Sequence, residues 1–147
     1  MFTKLSHVEL IVKSLDEMTQ TYDKLFGLKP SSPTMNLTGG GVKARVFPLG
    51  GNCSLAVSEP TDPSSNAARV LEKRGEGVFL LAIEVDDLEK QIEHLKESGV
   101  QITVGTLAPG LPEVCWVHPK HTHGVLIELI PPGFLEETIR RSEKIEQ

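Results

Sequence analysis

His7 lies inside a strand-like run, "LSHVELIVKSLDE" (residues 5–17), and Glu9 follows two positions later. A second carboxylate, Glu128, interrupts the apolar run "GVLIELI" (residues 124–130), and a third, Glu84, interrupts "GVFLLAIEVDDLE" (residues 77–89). An imidazole facing carboxylates inside an apolar wall can move protons as a general acid and base, or share in holding a cation. A core chosen for packing alone does not select such groups.

What must position them is a duplicated unit. Aligning Ser14-Leu15 with Asp87-Leu88 pairs His7 with Leu80, Leu10 with Ile83 and Val12 with Val85. Each copy is a β-branched and Leu-rich strand running straight into a helix start. In the first, "SLDE" reads as a capping box, Met18, Tyr22, Leu25 and Phe26 recur at helical spacing, and Gly27 ends the helix. In the second, Asp87 caps, Leu88, Ile92 and Leu95 form the apolar stripe, and Gly99 stops it. Short strand-like runs follow each helix: "VKARVFPL" and "CSLAVS", then "EVCWVH" and "GVLIELI".

The expected organisation is one α+β domain over residues 1–147, built from two βαβββ modules (4–60 and 77–131). Residues 61–76 form a linker with a short helix, and residues 132–147 a charged terminal helix whose apolar side carries Leu135 and Ile139. That helix is expected on the outside or against a second subunit. Neither module can bury a strand face alone, so the two together should form one curved, half-open, eight-stranded mixed sheet. Strand alternation then puts His7, Glu9 and Ile11 inside, with Leu80, Ala82 and Glu84, Ser54, Ala56 and Ser58, and Leu126, Glu128 and Ile130.

Composition excludes several classes of function. A net charge of −5 without a basic block argues against nucleic acid or an anionic membrane surface as partner, and no apolar run is long enough to span a bilayer. Cys53 and Cys115 lack CxxC spacing and read as reduced thiols, so a cytoplasmic setting is expected. "HPKHTH" (His118, His121, His123) reads as a solvated turn before the last strand rather than a metal cluster.

Four separated segments, "LSHVELIVKSLDEM", "LEKRGEGVFLLAIEVDDLE", "LKESGVQI" and "HPKHTHGVLIEL", resemble the vicinal-oxygen-chelate (glyoxalase, bleomycin resistance and dioxygenase) superfamily, and within it the methylmalonyl-CoA epimerases. The resemblance implies a glyoxalase-type fold, a homodimer, and a divalent cation held by one residue from the first and last strand of each module. Carried over, those positions are His7, Ala56, Leu80 and Glu128, so hydrocarbon occupies two of the four and any metal should bind weakly. The loop where epimerases carry a proton-handling glutamate reads "NLTGGGVKA", with Thr38, Gly39 and Gly40 there. Three readings stay open. One is metal-assisted epimerase or glyoxalase chemistry. The second is metal-free isomerase or lyase chemistry on a small carbonyl compound, with His7 and Glu128 as a hydrogen-bonded acid–base pair whose carboxyl is pushed up by burial, in a pocket lined by Glu9, Ser54, Ala56, Leu80, Glu84 and Leu126. The third is a metal-free binding protein that sequesters a small molecule, as bleomycin-resistance proteins do.

Overall fold

The computed structural model describes residues 1–145, so the last two residues of the expected terminal helix lie outside it. The first module is β1 (Phe2–Ile11), α1 (Leu15–Phe26), β2 (Met35–Leu37), β3 (Val42–Pro48) and β4 (Ser54–Pro60). A connecting helix, α2 (Asn66–Arg74), leads to the second: β5 (Gly77–Val85), α3 (Leu88–Glu97), β6 (Ile102–Gly105), β7 (Val114–Val117) and β8 (Ile127–Ile130). The chain continues as α4 (Phe134–Ile145). No helix of the described residues is long and apolar enough to cross a membrane.

The helices start and stop where local chemistry requires. Ser14 Oγ accepts from Glu17 N at 3.2 Å and Asp87 Oδ1 from Lys90 N at 3.0 Å, each satisfying one of the donors a helix start leaves open. Gly27 ends α1 in the left-handed region at φ 63°.

The eight strands form one curled mixed sheet in the order β2-β3-β4-β1-β5-β8-β7-β6. Strands β1 and β5 run antiparallel at its centre, each flanked by a parallel partner, β4 and β8 respectively. Val8 pairs with Leu81, and these are also equivalent residues of the two copies, so the internal two-fold passes between them. His7 accordingly faces Ala82, and Glu9 faces Leu80.

The convex side carries two separate apolar clusters under the helices. Val12, Leu15, Met18, Phe47 and Val57 pack beneath α1, while Val85, Cys115, Val117 and Leu129 pack with Leu88, Ile92 and Leu95 of α3. The concave side carries the largest cluster, which includes Ile11, Ala44, Val46, Leu80, Ala82, Val114 and Ile130.

Two features of the concave side differ from the sequence expectation. First, α4 does not lie on the outside. Phe134 and Leu135 belong to the concave cluster with exposures of 3% and 9%, and Ile139 packs against it. A helix with one apolar stripe must bury it, and the nearest uncovered apolar surface is the hollow of its own sheet. Second, a loop of each module meets the other at the rim of the half-open sheet. Gly39 N donates to Leu107 O at 2.9 Å, and a Cβ at Gly39 would stand 1.8 Å from Thr106 O. The glycines of "NLTGGG" therefore serve backbone-to-backbone contact between the modules.

Candidate functional site

Two rows of residues cross the floor of the hollow. One runs Ser54, His7, Ala82, Glu128, Trp116 over β4, β1, β5, β8 and β7. The other runs Ala56, Glu9, Leu80 over β4, β1 and β5. The structure thus gathers His7, Glu9 and Glu128 around Leu80 and Ala82, with His7 4% and Glu128 3% exposed. Leu126 borders the same cluster and Ser54 stays half-buried.

His7 and Glu128 do not form the expected hydrogen-bonded pair. Strand β5 lies between them, separating their backbones by two strand spacings, about 10 Å. Each side chain instead has a local partner: Ser6 Oγ lies 3.1 Å from His7 Nδ1, and Trp116 Nε1 donates to Glu128 Oε2 at 2.7 Å. Glu84 is drawn away from the site. Its carboxylate sits 3.7 Å from Lys4 Nζ and accepts from Gly133 N at 3.3 Å.

Glu9 is the group whose importance alternation understated. It stands in register between Ala56 and Leu80, and its carboxyl is close enough to Glu128 for their charges to repel. None of the ion pairs among the described residues includes either carboxyl. Burial first, and then the neighbouring Glu128, push Glu9 up to about 8. Ser58 opposes that rise, although its fully buried Oγ completes no hydrogen bond of good geometry. Burial raises Glu128 to about 7, and the Trp116 N–H holds it below its partner. His7 is lowered to about 4 by burial, against the charge of Glu136 on α4. At neutral pH the floor therefore holds a neutral imidazole and two carboxyls that retain a proton between them.

The four positions at which the resemblance implies a cation present an imidazole, a carboxyl, the methyl of Ala56 and the isobutyl group of Leu80. Hydrocarbon donates nothing to a metal, and the remaining two groups fall short of the three protein ligands that a catalytic zinc-type site uses. Only two of the four implied positions therefore offer a donor atom to a divalent ion. Among the described residues, no group of three or more His, Cys, Asp or Glu side chains is arranged to hold one. Two of the "HPKHTH" histidines, His118 and His121, accept backbone N–H groups on their rings. Lys120 N donates to His118 Nδ1 at 3.1 Å and Gln101 N to His121 Nε2 at 3.0 Å.

The sequence gives no sign of the role of Trp116. The pairing of Trp116 with Glu128 depends on the register of β7 against β8, which the nine intervening residues, 118–126, leave open. The opposition of Glu9 to Glu128 was hidden for the same reason, because it depends on where β8 lies against β5.

Comparison with known proteins bears on the whole of this arrangement. Residues 4–129 match the model of the Glyoxalase/Bleomycin resistance protein/Dioxygenase superfamily. The chain is 32% identical over 130 residues to the mitochondrial methylmalonyl-CoA epimerase of Dictyostelium discoideum, a match covering 86% of this chain and 76% of that one. Among solved structures, the methylmalonyl-CoA epimerase of Mycobacterium tuberculosis superposes with a TM-score of 0.77 at 30% identity, covering 89% of each chain. A Streptomyces coelicolor methylmalonyl-CoA epimerase in complex with 2-nitronate-propionyl-CoA gives 0.75 at 26% identity, covering 89% of this chain and 98% of that one. The chain belongs to the glyoxalase/bleomycin resistance/dioxygenase superfamily and has its curled-sheet fold.

Proposed function

We propose that this member of the superfamily is an isomerase-type enzyme that moves the proton beside the carbonyl of a small carbonyl compound, without a tightly bound metal. The observation that carries the reading is the Glu9–Glu128 carboxyl pair at the centre of the hollow, Glu128 buried and Glu9 half-buried, with no ion pair to either among the described residues. Stability gives no reason to keep two such groups there, since an unpaired buried charge costs several kcal/mol.

The two carboxyls divide the work by environment. Trp116 donates to Glu128 and makes it the first to ionise, so it serves as the base. Glu9 keeps its proton and serves as the acid. Glu128 takes the proton from the α-carbon, the C–H electron pair becomes the C=C bond of an enol, and Glu9 gives its proton to the carbonyl oxygen. Return of a proton to carbon and loss of the enol proton restore the carbonyl and both carboxyls. His7, neutral and held beside Ser6, supplies a further hydrogen-bonding group to the substrate.

Structures of related epimerases hold methylmalonyl-CoA or 2-nitronate-propionyl-CoA, which makes an acyl thioester the first substrate to try. Incubation of the protein with a neutral acyl thioester such as propionyl-CoA, and with short ketones, in D₂O and chelator, followed by NMR, measures exchange of the α-proton. Exchange is expected with chelator present, and Glu128→Gln should slow it by about 10²–10⁴. Activity that needs added Co²⁺, or a Glu128→Gln variant as fast as the parent, would contradict the assignment.

The binding-protein reading has one observation in its favour, the apolar lining that Ala44, Val46, Leu80 and Ala82 give the hollow. A ligand recovered unchanged, with no α-exchange, would favour it. A homodimer belongs to the same proposal. Phe2, Leu5 and Val78 are 55%, 41% and 59% exposed on the convex side of β1 and β5, where a second copy would cover them. Light scattering tests this directly. The unbridged Cys53 and Cys115 support a reducing, cytoplasmic setting.

A further inference from the structure

The superfamily match ends at residue 129, yet the segment beyond it is what shuts the site. Pro131, Pro132 and Gly133 break the chain after β8, with Gly133 in the left-handed region at φ 73°. The helix that follows lays Phe134 and Leu135 into the same cluster as Leu80 and Ala82, and the charge of Glu136 reaches His7. The first turn of α4 therefore lies over the acid–base floor.

Its polar attachment is thin. Gly133 N reaches Glu84 at 3.3 Å, and Lys4 Nζ lies 3.6 Å from Glu136, a carboxylate that is 65% exposed. The strongest ion pairs of the helix are internal, Glu137 with Arg140 and Arg141 at 2.6 and 2.7 Å, and they travel with it if it moves. A cleft of about 170 Å³ already runs along its edge, between Arg141 and Thr138 on one side and Asn36, Leu37 and Leu111 on the other.

We propose that α4 is a displaceable plug which occupies the ligand's seat, and that the seat accepts a neutral carbonyl compound with an aromatic or branched apolar body. The inference rests on the acid–base reading above for the polar end of the ligand only. Glu9 and Glu128 floor the seat with no ion-pair partner among the described residues, so an anionic head is disfavoured there and a neutral ketone, aldehyde or thioester is admitted. The apolar end is dictated by what the seat now holds, a phenyl ring and an isobutyl group one residue apart. Pro131-Pro132-Gly133 supplies the hinge, and the apparent affinity is reduced by the fraction of molecules in which the helix is out.

The test uses the full chain and the environment-sensitive ketone prodan, 6-propionyl-2-(dimethylamino)naphthalene, with an anionic naphthalenesulfonate as control. Prodan is expected to bind at one site with blue-shifted emission, and the sulfonate more weakly. Hydrogen exchange with prodan saturating should quicken in α4 while β1 and β5 stay protected. Leu135→Ala should tighten prodan binding about tenfold by favouring the displaced helix. Glu136→Lys, an exposed change that leaves the core intact, should tighten it severalfold even if Leu135→Ala fails to fold. Unchanged or slowed exchange in α4 at saturation, equal affinity in the Glu136→Lys variant, or no binding by any variant overturns the plug. Prodan binding with helix release but no α-proton exchange on any carbonyl compound would leave the plug standing and remove the enzyme reading instead.

Discussion

The two halves of the molecule share a backbone and differ in what they place on the floor of the hollow. On β1 the first half carries His7 and Glu9, and at the equivalent places on β5 the second carries Leu80 and Ala82. On the outer parallel strands the pattern reverses, with Ala56 on β4 and Glu128 on β8. A symmetric set of four polar corners would surround a cation. This set collects its ionisable groups on one diagonal and leaves hydrocarbon on the other. Duplication preserves strand pairing, which depends on backbone hydrogen bonds, and leaves the floor side chains, which that pairing does not constrain, free to diverge.

Restoring the second diagonal is the sharpest way to break that contrast. The double variant Ala56→Gln/Leu80→His should raise Co²⁺ affinity by a factor on the order of 100 over the parent, read by titration calorimetry, because it returns two donors to the ring. Equal affinity in the two proteins would mean that hydrocarbon at these corners is not what weakens metal binding.

Trp116→Phe acts on one carboxyl alone. It leaves Glu128 buried with its donor gone, which should cost about 1–3 kcal/mol in denaturant unfolding. It should also move the pH profile of α-exchange upward, since the indole N–H now holds the Glu128 pKa down. A purely structural tryptophan would change stability and leave the profile in place.

The smallest expected effect is on thermal stability with pH. Glu9 and Glu128 are both raised above the ordinary 4.5, so their contribution is complete below that value and is lost as the pH rises through their folded values. His7 is lowered from 6.5, so its contribution is complete above pH 6.5 and is lost only on acidification. Between pH 6.5 and 8.5 the carboxyls act without opposition from His7, and Tm should fall by roughly 5 °C. In Glu9→Gln that fall should shrink, as differential scanning calorimetry would show.

The fold was legible because it is written twice. Two strand-to-helix junctions with caps at Ser14 and Asp87 fix the modules, and alternation along "HVELIV" and "LLAIEV" correctly turned His7, Glu9, Leu80 and Ala82 to one side. What alternation cannot supply is the distance between strands. It allowed a contact between His7 and Glu128 that the intervening β5 prevents, and it ranked Glu9 behind His7 when the register places it at the centre. The stripe of α4 announced an apolar face without saying which surface receives it, and Gly39 gave no sign that Thr106, 67 residues on, would press against it. Glu84 lies on the expected strand but answers to Lys4, its register partner on β1, and to Gly133, which reaches it only where the chain turns into α4.

The measurement closest to the central claim is the infrared spectrum of the carboxyl groups at pH 6, in chelator, compared among the parent, Glu9→Gln and Glu128→Gln. A protonated-carboxyl band is expected in the parent, weakening in each variant and disappearing on titration to alkaline pH. A parent spectrum in which both side chains are already ionised at pH 6 would contradict it.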